Sequence, residues 1–190
     1  MRIVGGSFKG RVLKAPRSAS IRPTTDRTRE ALFNILTHTF RTALKGRRML
    51  ELFAGTGAVG LEALSRGADF VAFVEQSTQG QALLRQNIAL LGVERQSRVF
   101  RRDATALGRV GSLEPFDLLF ADPPYGHGLG ESALQSAASG GWLKSGALVI
   151  LEERSDIEPK PVRAFRLTDR RDFGDTAMHF FFYDGVSAED

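Results

Sequence analysis

The stretch ELFAGTGAVG, residues 51–60, decides how this chain folds. A short apolar run, MLELF, leads into three glycines, Gly55, Gly57 and Gly60, with the spacing G-x-G-x-x-G. This spacing is typical of a strand-to-helix turn that binds a nucleoside cofactor, because glycines permit a tight turn and close approach of the backbone. Glu75, 20 residues after Gly55, supplies a carboxylate for ribose hydroxyls. The stretch predicts a nucleotide-binding α/β fold and leaves NAD and S-adenosylmethionine open.

The pattern around this stretch predicts the rest of the sheet. Apolar runs typical of strands (DFVAFVE, SRVFRRD, FDLLFAD, GALVILEE) alternate with runs of helical period, which indicates a parallel sheet with helices on both faces. The last runs, VRAFRLTDR and TAMHFFFYD, have no helix between them and predict a hairpin with one antiparallel strand. We therefore expect a Rossmann-like α/β domain with a mostly parallel seven-stranded sheet over residues 47–190. Residues 1–46 are expected to form a basic hairpin and a helix, capped by Thr24, Thr25 or Asp26, that pack on this domain.

Composition limits the class of protein. The chain has 190 residues, 42% of them hydrophobic, and this is enough for one ordinary core. No apolar run approaches 18 residues, the first residues lack an apolar signal segment, and there is no cysteine. These features favour a cytoplasmic protein without membrane contact or disulfides. With only three scattered histidines, we expect no metal site, and nothing indicates an obligate dimer, so we expect a monomer.

The charge is distributed unevenly. Residues 1–48 contain 12 Lys and Arg but only two acids, whereas the other 142 residues contain 14 bases and 20 acids. A basic segment on an acidic body indicates a polyanionic partner, and the phosphate backbone of a nucleic acid is the commonest one.

Acidic residues end four of the predicted strands. Glu51, Glu75, Asp103 and Asp122 should therefore lie at the same edge of the sheet, where open parallel sheets bind ligands. A carboxylate at Glu51 would repel the pyrophosphate of NAD but would suit the ammonium group of S-adenosylmethionine. Asp103 can accept a hydrogen bond from an exocyclic amine such as that of adenine.

The fourth strand ends in the segment DPPY. Pro123 and Pro124 restrict the backbone and have no N–H group, so the segment offers acceptors without competing donors. Asp122 and the carbonyl of Pro123 can each accept one N–H of a base amine, and Tyr125 offers a ring for stacking. This segment predicts a site for an amine-bearing base.

Four segments of the chain resemble those of known methyltransferases. DPPY resembles motif IV of amine-directed methyltransferases that use S-adenosylmethionine, and ELFAGTGAVGLEALSRGA resembles their motif I. The segments RIVGGSFKGR and RPTTDRTREALFNIL resemble those of the RsmD family, which methylates the exocyclic N2 of guanine 966 in 16S ribosomal RNA. The resemblance extends from Arg2 to about Tyr183, and its N-terminal segments are the family-specific part.

The resemblance implies a role for each matched position. Cofactor contacts are implied for Glu51, Phe53, Gly55, Gly57, Glu75, Gln76, Asp103 and Ala104. The catalytic residues that hold the guanine are implied to be Asp122, Pro123, Pro124 and Tyr125. Candidates for RNA phosphate contacts are Arg2, Lys9, Arg11, Lys14, Arg22, Arg27 and Arg29. The implied partner is 16S rRNA, either naked or in a partly assembled small subunit.

Three alternatives fit part of the pattern. A DNA methyltransferase, or an RNA methyltransferase acting on adenine N6 or cytosine N4, would share DPPY; the N-terminal segments and the small size favour ribosomal RNA. An NAD-dependent oxidoreductase would explain the glycines and Glu75 but not DPPY, Glu51 or the basic segment. A non-enzymatic RNA-binding factor would not need both motif I and motif IV.

Overall fold

Strands and helices alternate through the middle of the chain, as the apolar pattern predicts. The computed structural model describes residues 1–16 and 25–185. The helices in it are α1 (Asp26–His38), α2 (Ala58–Ser65), α3 (Thr78–Leu91) and α4 (Leu129–Ser139). The strands are β1 (Arg48–Leu52), β2 (Phe70–Val74), β3 (Ser97–Phe100), β4 (Phe116–Ala121), β5 (Leu143–Arg154), β6 (Phe165–Phe173) and β7 (Thr176–Tyr183).

The chain divides into two compact units, Met1–Arg101 and Arg102–Asp190. The boundary between residues 46 and 47 that composition suggests falls inside the first unit, so a division of function at that point stays a prediction. Arg22, one of the predicted phosphate contacts, and Thr24, one of the possible caps of the first helix, lie outside the described residues.

Three parallel strands form the sheet of the first unit, in the order β3-β2-β1. The register pairs Leu52 with Val74, so β1 and β2 end side by side. Ala54, just after β1, donates its N–H to the carbonyl of Val74 at 3.0 Å. The loops that follow these two strands therefore leave the sheet at the same edge.

Helix α2 has no exposed face, since all eight of its residues are buried. The N-terminal hairpin packs against it. Arg2 bridges Val12 in antiparallel fashion, and Ile3 and Leu13 are buried. The hairpin also uses polar atoms of α2. Val4 donates its N–H to Glu62 Oε2 at 2.8 Å, and Phe8 donates its N–H to Ser65 Oγ at 2.9 Å.

The second unit contains the antiparallel part of the sheet. Its strands lie in the order β4-β5-β7-β6; β4 and β5 are parallel, and β7 is antiparallel to both of its neighbours. Strand β5 begins at Leu143, three residues earlier than its apolar pattern indicates, and its register with β4 shifts between Phe116 and Leu118. Trp142 is fully buried before this strand, and its Nε1 donates to the carbonyl of Gly108 at 2.7 Å.

The fold class predicted from the sequence is confirmed. The protein has a seven-stranded mixed sheet that is mostly parallel, with helices around it and an antiparallel C-terminal strand. Within the described ranges, no helix combines the length and the hydropathy needed to cross a lipid bilayer.

Arg29 requires a correction, because the sequence analysis placed it among the surface bases. Its side chain is fully buried on the face of α1 that also carries Leu32, Phe33 and Leu36. Its Nη2 donates to Asp26 Oδ1 at 2.8 Å and to the carbonyl of Arg2. A guanidinium used inside the fold is not available to an RNA phosphate, so Arg29 holds α1 and the hairpin together instead.

Replacing this buried guanidinium should destabilise the protein. We expect Arg29→Ala to lower the free energy of unfolding by about 2–4 kcal/mol, because it removes the side-chain donor of the Arg2 carbonyl and one of the donors to Asp26. Arg27→Ala, at an exposed position of the same helix, should change it by less than about 0.5 kcal/mol. Urea denaturation of both variants measures the difference. Equal midpoints would show that the buried contacts of Arg29 add nothing to stability.

Candidate active site

The loop between β1 and α2 is shaped by two glycines with different surroundings. Gly57 has a φ of 75° at the N-cap of α2, and a Cβ there would lie 2.3 Å from Leu84 Cδ1. Gly55 has a φ of 52°, but an added Cβ would meet nothing nearer than the carbonyl oxygen of Phe53 at 4.0 Å. The positive φ and the contact with Leu84 therefore both disfavour a side chain at position 57, whereas the backbone at Gly55 faces open space that a ligand could use.

Phe53 precedes these glycines in the same loop. It has a φ of 55°, in the left-handed region that side chains other than glycine rarely adopt, and it is partly exposed. Such a conformation costs on the order of 1–3 kcal/mol and is most common at functional sites. The strain fits the cofactor contact that the family resemblance implies for Phe53.

Glu75 fixes this loop from the end of β2. Its Oε2 accepts from the N–H of Gly55 and its Oε1 from the N–H of Ser77, both at 2.7 Å. Gly80 makes room for the carboxylate, since a Cβ there would lie 2.8 Å from Glu75 Cδ. Each carboxylate oxygen can accept more than one hydrogen bond, so Glu75 keeps capacity for ribose hydroxyls. Gln76 lies next to it and is exposed.

Glu51 is a buried acid at the end of β1. Its side chain is close to the N-terminus of α2, where the N–H of Gly60 donates to its Oε2 at 2.8 Å. Burial raises the pKa of the Glu51 carboxyl to about 8, although the N–H groups of Gly60 and Val59 and the charge of Arg29 act in the opposite direction. A group with this pKa becomes an anion readily when a cation binds beside it. The ammonium of S-adenosylmethionine is such a cation.

The residues implied for the adenine belong to the second unit. Asp103 is exposed, and its Oδ1 accepts from the N–H of Thr105 at 2.8 Å and from the Oγ1 of Thr105 at 2.7 Å. The acid thereby caps the single helical turn Ala104–Ala106, in which Ala104 is buried.

The DPPY segment follows β4, and two acids from the end of β5 hold it. The hydroxyl of Tyr125 donates to Glu152 Oε1 at 3.2 Å, and the N–H of Gly126 is shared between both oxygens of Glu153 at 3.2 Å. Burial and the neighbouring carboxylates of Asp122 and Glu152 raise the pKa of Tyr125 far above its usual value. Tyr125 therefore stays protonated, and its ring is held in one orientation beside Asp122.

Glu152 and Glu153 did not emerge as site residues from the sequence. Both are buried, with 4% of their surface exposed. They end the apolar run of β5, just as the four predicted acids end theirs, and the same pattern could have identified them.

The predicted phosphate contacts share one part of the first unit. Arg2, Lys9, Arg11 and Lys14 are exposed on the N-terminal hairpin, and Arg27 is exposed on α1. Arg2 Nε lies 3.5 Å from Asp26 Oδ2, an ion pair that links the hairpin to the start of α1. Among the described residues, no group of three or more His, Cys, Asp or Glu side chains could hold a metal ion.

Comparison with known families and sequences shows what this chain resembles. The family model described as "Conserved hypothetical protein 95" matches residues 1–182. The "Ribosomal RNA small subunit methyltransferase D" of Escherichia coli (strain K12) is 38% identical over 158 residues, which covers 83% of this chain and 76% of that protein.

Solved structures show the same architecture. The "Putative methyltransferase yhhF from Escherichia coli" superposes with a TM-score of 0.81 at 32% identity, covering 98% of this chain and 99% of that one. A Thermus thermophilus "16S rRNA N2 G1207 methyltransferase (RsmC)", solved with AdoMet and guanosine, superposes with a TM-score of 0.66. At 19% identity, covering 87% of this chain and 44% of that one, it supports the fold alone.

The two glycines should respond differently to the same substitution. Gly57→Ala should lower the free energy of unfolding by about 2–4 kcal/mol, because the methyl group meets Leu84 and the backbone is strained. Gly55→Ala should cost about 1 kcal/mol of strain but lower the affinity for S-adenosylmethionine, the expected cofactor, by at least about tenfold. Thermal denaturation and calorimetric titration separate the two effects. Wild-type cofactor affinity in Gly55→Ala would mean that no ligand approaches this backbone.

The raised pKa of Glu51 predicts a pH dependence. The folded chain retains a proton that the unfolded chain loses between pH 4.5 and about 8, so this group's contribution to stability falls as pH rises through that window. Binding of a cationic cofactor favours the ionised carboxyl, so affinity should rise by about tenfold from pH 6 to pH 8, with proton release. Glu51→Gln should bind more weakly and without this slope. An unchanged slope in Glu51→Gln would assign the pH dependence to another group.

Proposed function

The chain belongs to the RsmD family of ribosomal RNA methyltransferases, and we propose that it methylates the exocyclic N2 amine of a guanine in 16S ribosomal RNA. The methyl donor is S-adenosylmethionine, and the family resemblance indicates guanine 966 as the target. In this proposal the reaction takes place during assembly of the small subunit.

The observation that carries this proposal is the fixed DPPY segment. Asp122 and the Pro123 carbonyl offer two acceptors, and the contacts of Tyr125 and Gly126 with Glu152 and Glu153 hold the segment in place. An exocyclic amine has two N–H groups to match two acceptors. This pair of acceptors would not match a hydride acceptor or a phosphate.

The first unit supports the choice of cofactor. Open space at Gly55, a carboxylate at Glu75 and a buried acid at Glu51 suit a ligand that has a ribose and an ammonium group. Bound S-adenosylmethionine would supply an activated methyl group on a sulfonium. A pyrophosphate beside Glu51 would meet a carboxyl group instead of a cation, which argues against NAD.

The protein's own residues account for the chemistry at the amine. The guanine amine is a poor nucleophile because its lone pair is delocalised into the ring. Hydrogen bonds to Asp122 and the Pro123 carbonyl favour a pyramidal nitrogen and stabilise the positive charge that develops on it. Alignment of the amine with the methyl group lowers the activation free energy by on the order of 7–11 kcal/mol. The methylated nitrogen then loses its proton readily.

RNA binding follows from the basic hairpin. The exposed bases Arg2, Lys9, Arg11, Lys14 and Arg27 provide a sequence-independent grip on phosphates. Since a base must leave its stack to reach such a site, the target is flipped out or already unpaired. The shape of the RNA and its state of assembly then select the guanine.

Methyl transfer to defined RNAs tests the proposal. Naked 16S rRNA and partly assembled small subunits, both lacking the modification, are incubated with labelled S-adenosylmethionine, and the modified base is mapped. We expect a single N2-methylguanine. A label on adenine N6 or on cytosine N4 would replace this function with that of another amine methyltransferase.

Asp122→Ala tests the role of the acid within the same assay. Turnover should fall by about 10²–10³ while RNA affinity stays within a few fold, because Asp122 acts on the amine rather than on the phosphates. His127→Ala, at an exposed position two residues after the motif, should keep wild-type turnover. Loss of RNA binding with intact methylation per bound complex would contradict the catalytic role of Asp122.

A further inference from the structure

A single buried side chain joins the RNA-binding hairpin to the cofactor loop. Asn87, on α3, is fully buried. Its Oδ1 accepts from the N–H of Lys14 at 2.8 Å, and its Nδ2 donates to the carbonyl of Lys14 at 3.1 Å. The same Nδ2 donates to the carbonyl of Thr56 at 3.0 Å. Residues 14, 56 and 87 are far apart in the chain, so this amide is a three-way junction.

Thr56 is the residue between the two glycines of the cofactor loop. It is buried, and its Oγ1 lies 3.8 Å from the sulfur of Met1, at the other end of the hairpin. The hairpin therefore contacts the loop through Met1 and, by way of Asn87, through Lys14. The side chain of Lys14 is exposed and was predicted to contact phosphate, whereas its backbone faces inward to the amide.

The amide has no spare donor with which to adapt. Its two N–H groups are both used, one by the hairpin and one by the loop, and its oxygen holds the hairpin again. Breaking such bonds in the interior leaves buried polar groups unsatisfied, which is costly. Displacement of Lys14 must therefore either break these bonds or move Asn87 and, with it, the carbonyl of Thr56.

We propose that Asn87 is a positioning residue that couples RNA binding on the hairpin to cofactor binding at the loop. This inference rests on the proposed function. RNA phosphates on the exposed bases favour the docked hairpin, and the docked hairpin holds the loop in the form that presents Gly55. Both ligands select the same arrangement, so each increases the affinity for the other by the same factor.

The coupling is measured as a ratio of two affinities. S-adenosylhomocysteine, which binds without turnover, is titrated calorimetrically into the full chain with and without a saturating fragment of 16S rRNA. In the wild type we expect RNA to tighten binding by at least about fivefold. In Asn87→Ala this factor should fall to about one. If the substitution only damaged the structure, S-adenosylhomocysteine would bind more weakly in both titrations, and the ratio of the two affinities would stay unchanged.

Two matched variants show whether the effect belongs to the amide. Lys14→Ala keeps the backbone groups that bind Asn87 but removes the charge, so it should weaken RNA binding and preserve the coupling factor. Ile88→Val trims the buried neighbour of Asn87 on α3 and should also preserve the factor. If Asn87→Ala does not fold, Asn87→Asp replaces it, because it retains the acceptor for Lys14 and removes both donated bonds.

The outcomes separate this inference from the proposed function. The role of Asn87 is overturned if the wild type binds both ligands without coupling, or if an Asn87 variant keeps the full coupling factor. Either result leaves the methyltransferase assignment intact. A wild type that binds neither ligand overturns the proposed function, and the coupling with it. If the coupling factor is lost in the Asn87 variant but kept in Lys14→Ala and Ile88→Val, the coupling role of Asn87 is established.

Discussion

The close approach of helix α2 to strands β1 and β2 is the constraint on which the rest of the first unit depends. It is possible only because Gly60 has no side chain: a Cβ there would lie 2.5 Å from the ring of Phe73 and 2.6 Å from Glu51 Oε2. The same approach lets the buried carboxyl of Glu51 reach the N–H of Gly60. Helix α2 is buried along its whole length, and the N-terminal hairpin packs against part of its surface. The N-terminal hairpin is therefore part of the fold of this unit.

The regular elements were predictable because they follow from local patterns. Alternation of apolar runs gave the strands, Thr25 caps α1 through its side chain, and Gly92 ends α3 in a left-handed conformation. The antiparallel β7 followed from the missing helix before it. The early start of β5 was not predictable, because Lys144, Ser145 and Gly146 are exposed and lack the apolar pattern of the rest of the strand.

Individual side chains were harder to place than elements. A basic residue in a basic segment is expected on the surface, but Arg29 has the spacing of the apolar residues of α1, and that spacing decided its position. Asn87 was missed because a lone asparagine in a helix has no distinguishing pattern; its role depends on partners 31 and 73 residues away. Tertiary hydrogen bonds of this kind are not encoded in local sequence.

The acids at the strand ends have a structural reason of their own. Glu75 accepts from the N–H of Gly55, Asp103 from that of Thr105, and Glu153 from that of Gly126. Parallel strands end in loops whose N–H groups need acceptors, and a carboxylate meets that need. A row of such acids therefore does not by itself identify a ligand. The open backbone at Gly55 and the raised pKa of Glu51 in the first unit exceed what loop formation requires, as does the fixed ring of Tyr125 in the second. These features, and not the row of acids, are the basis of the proposed function.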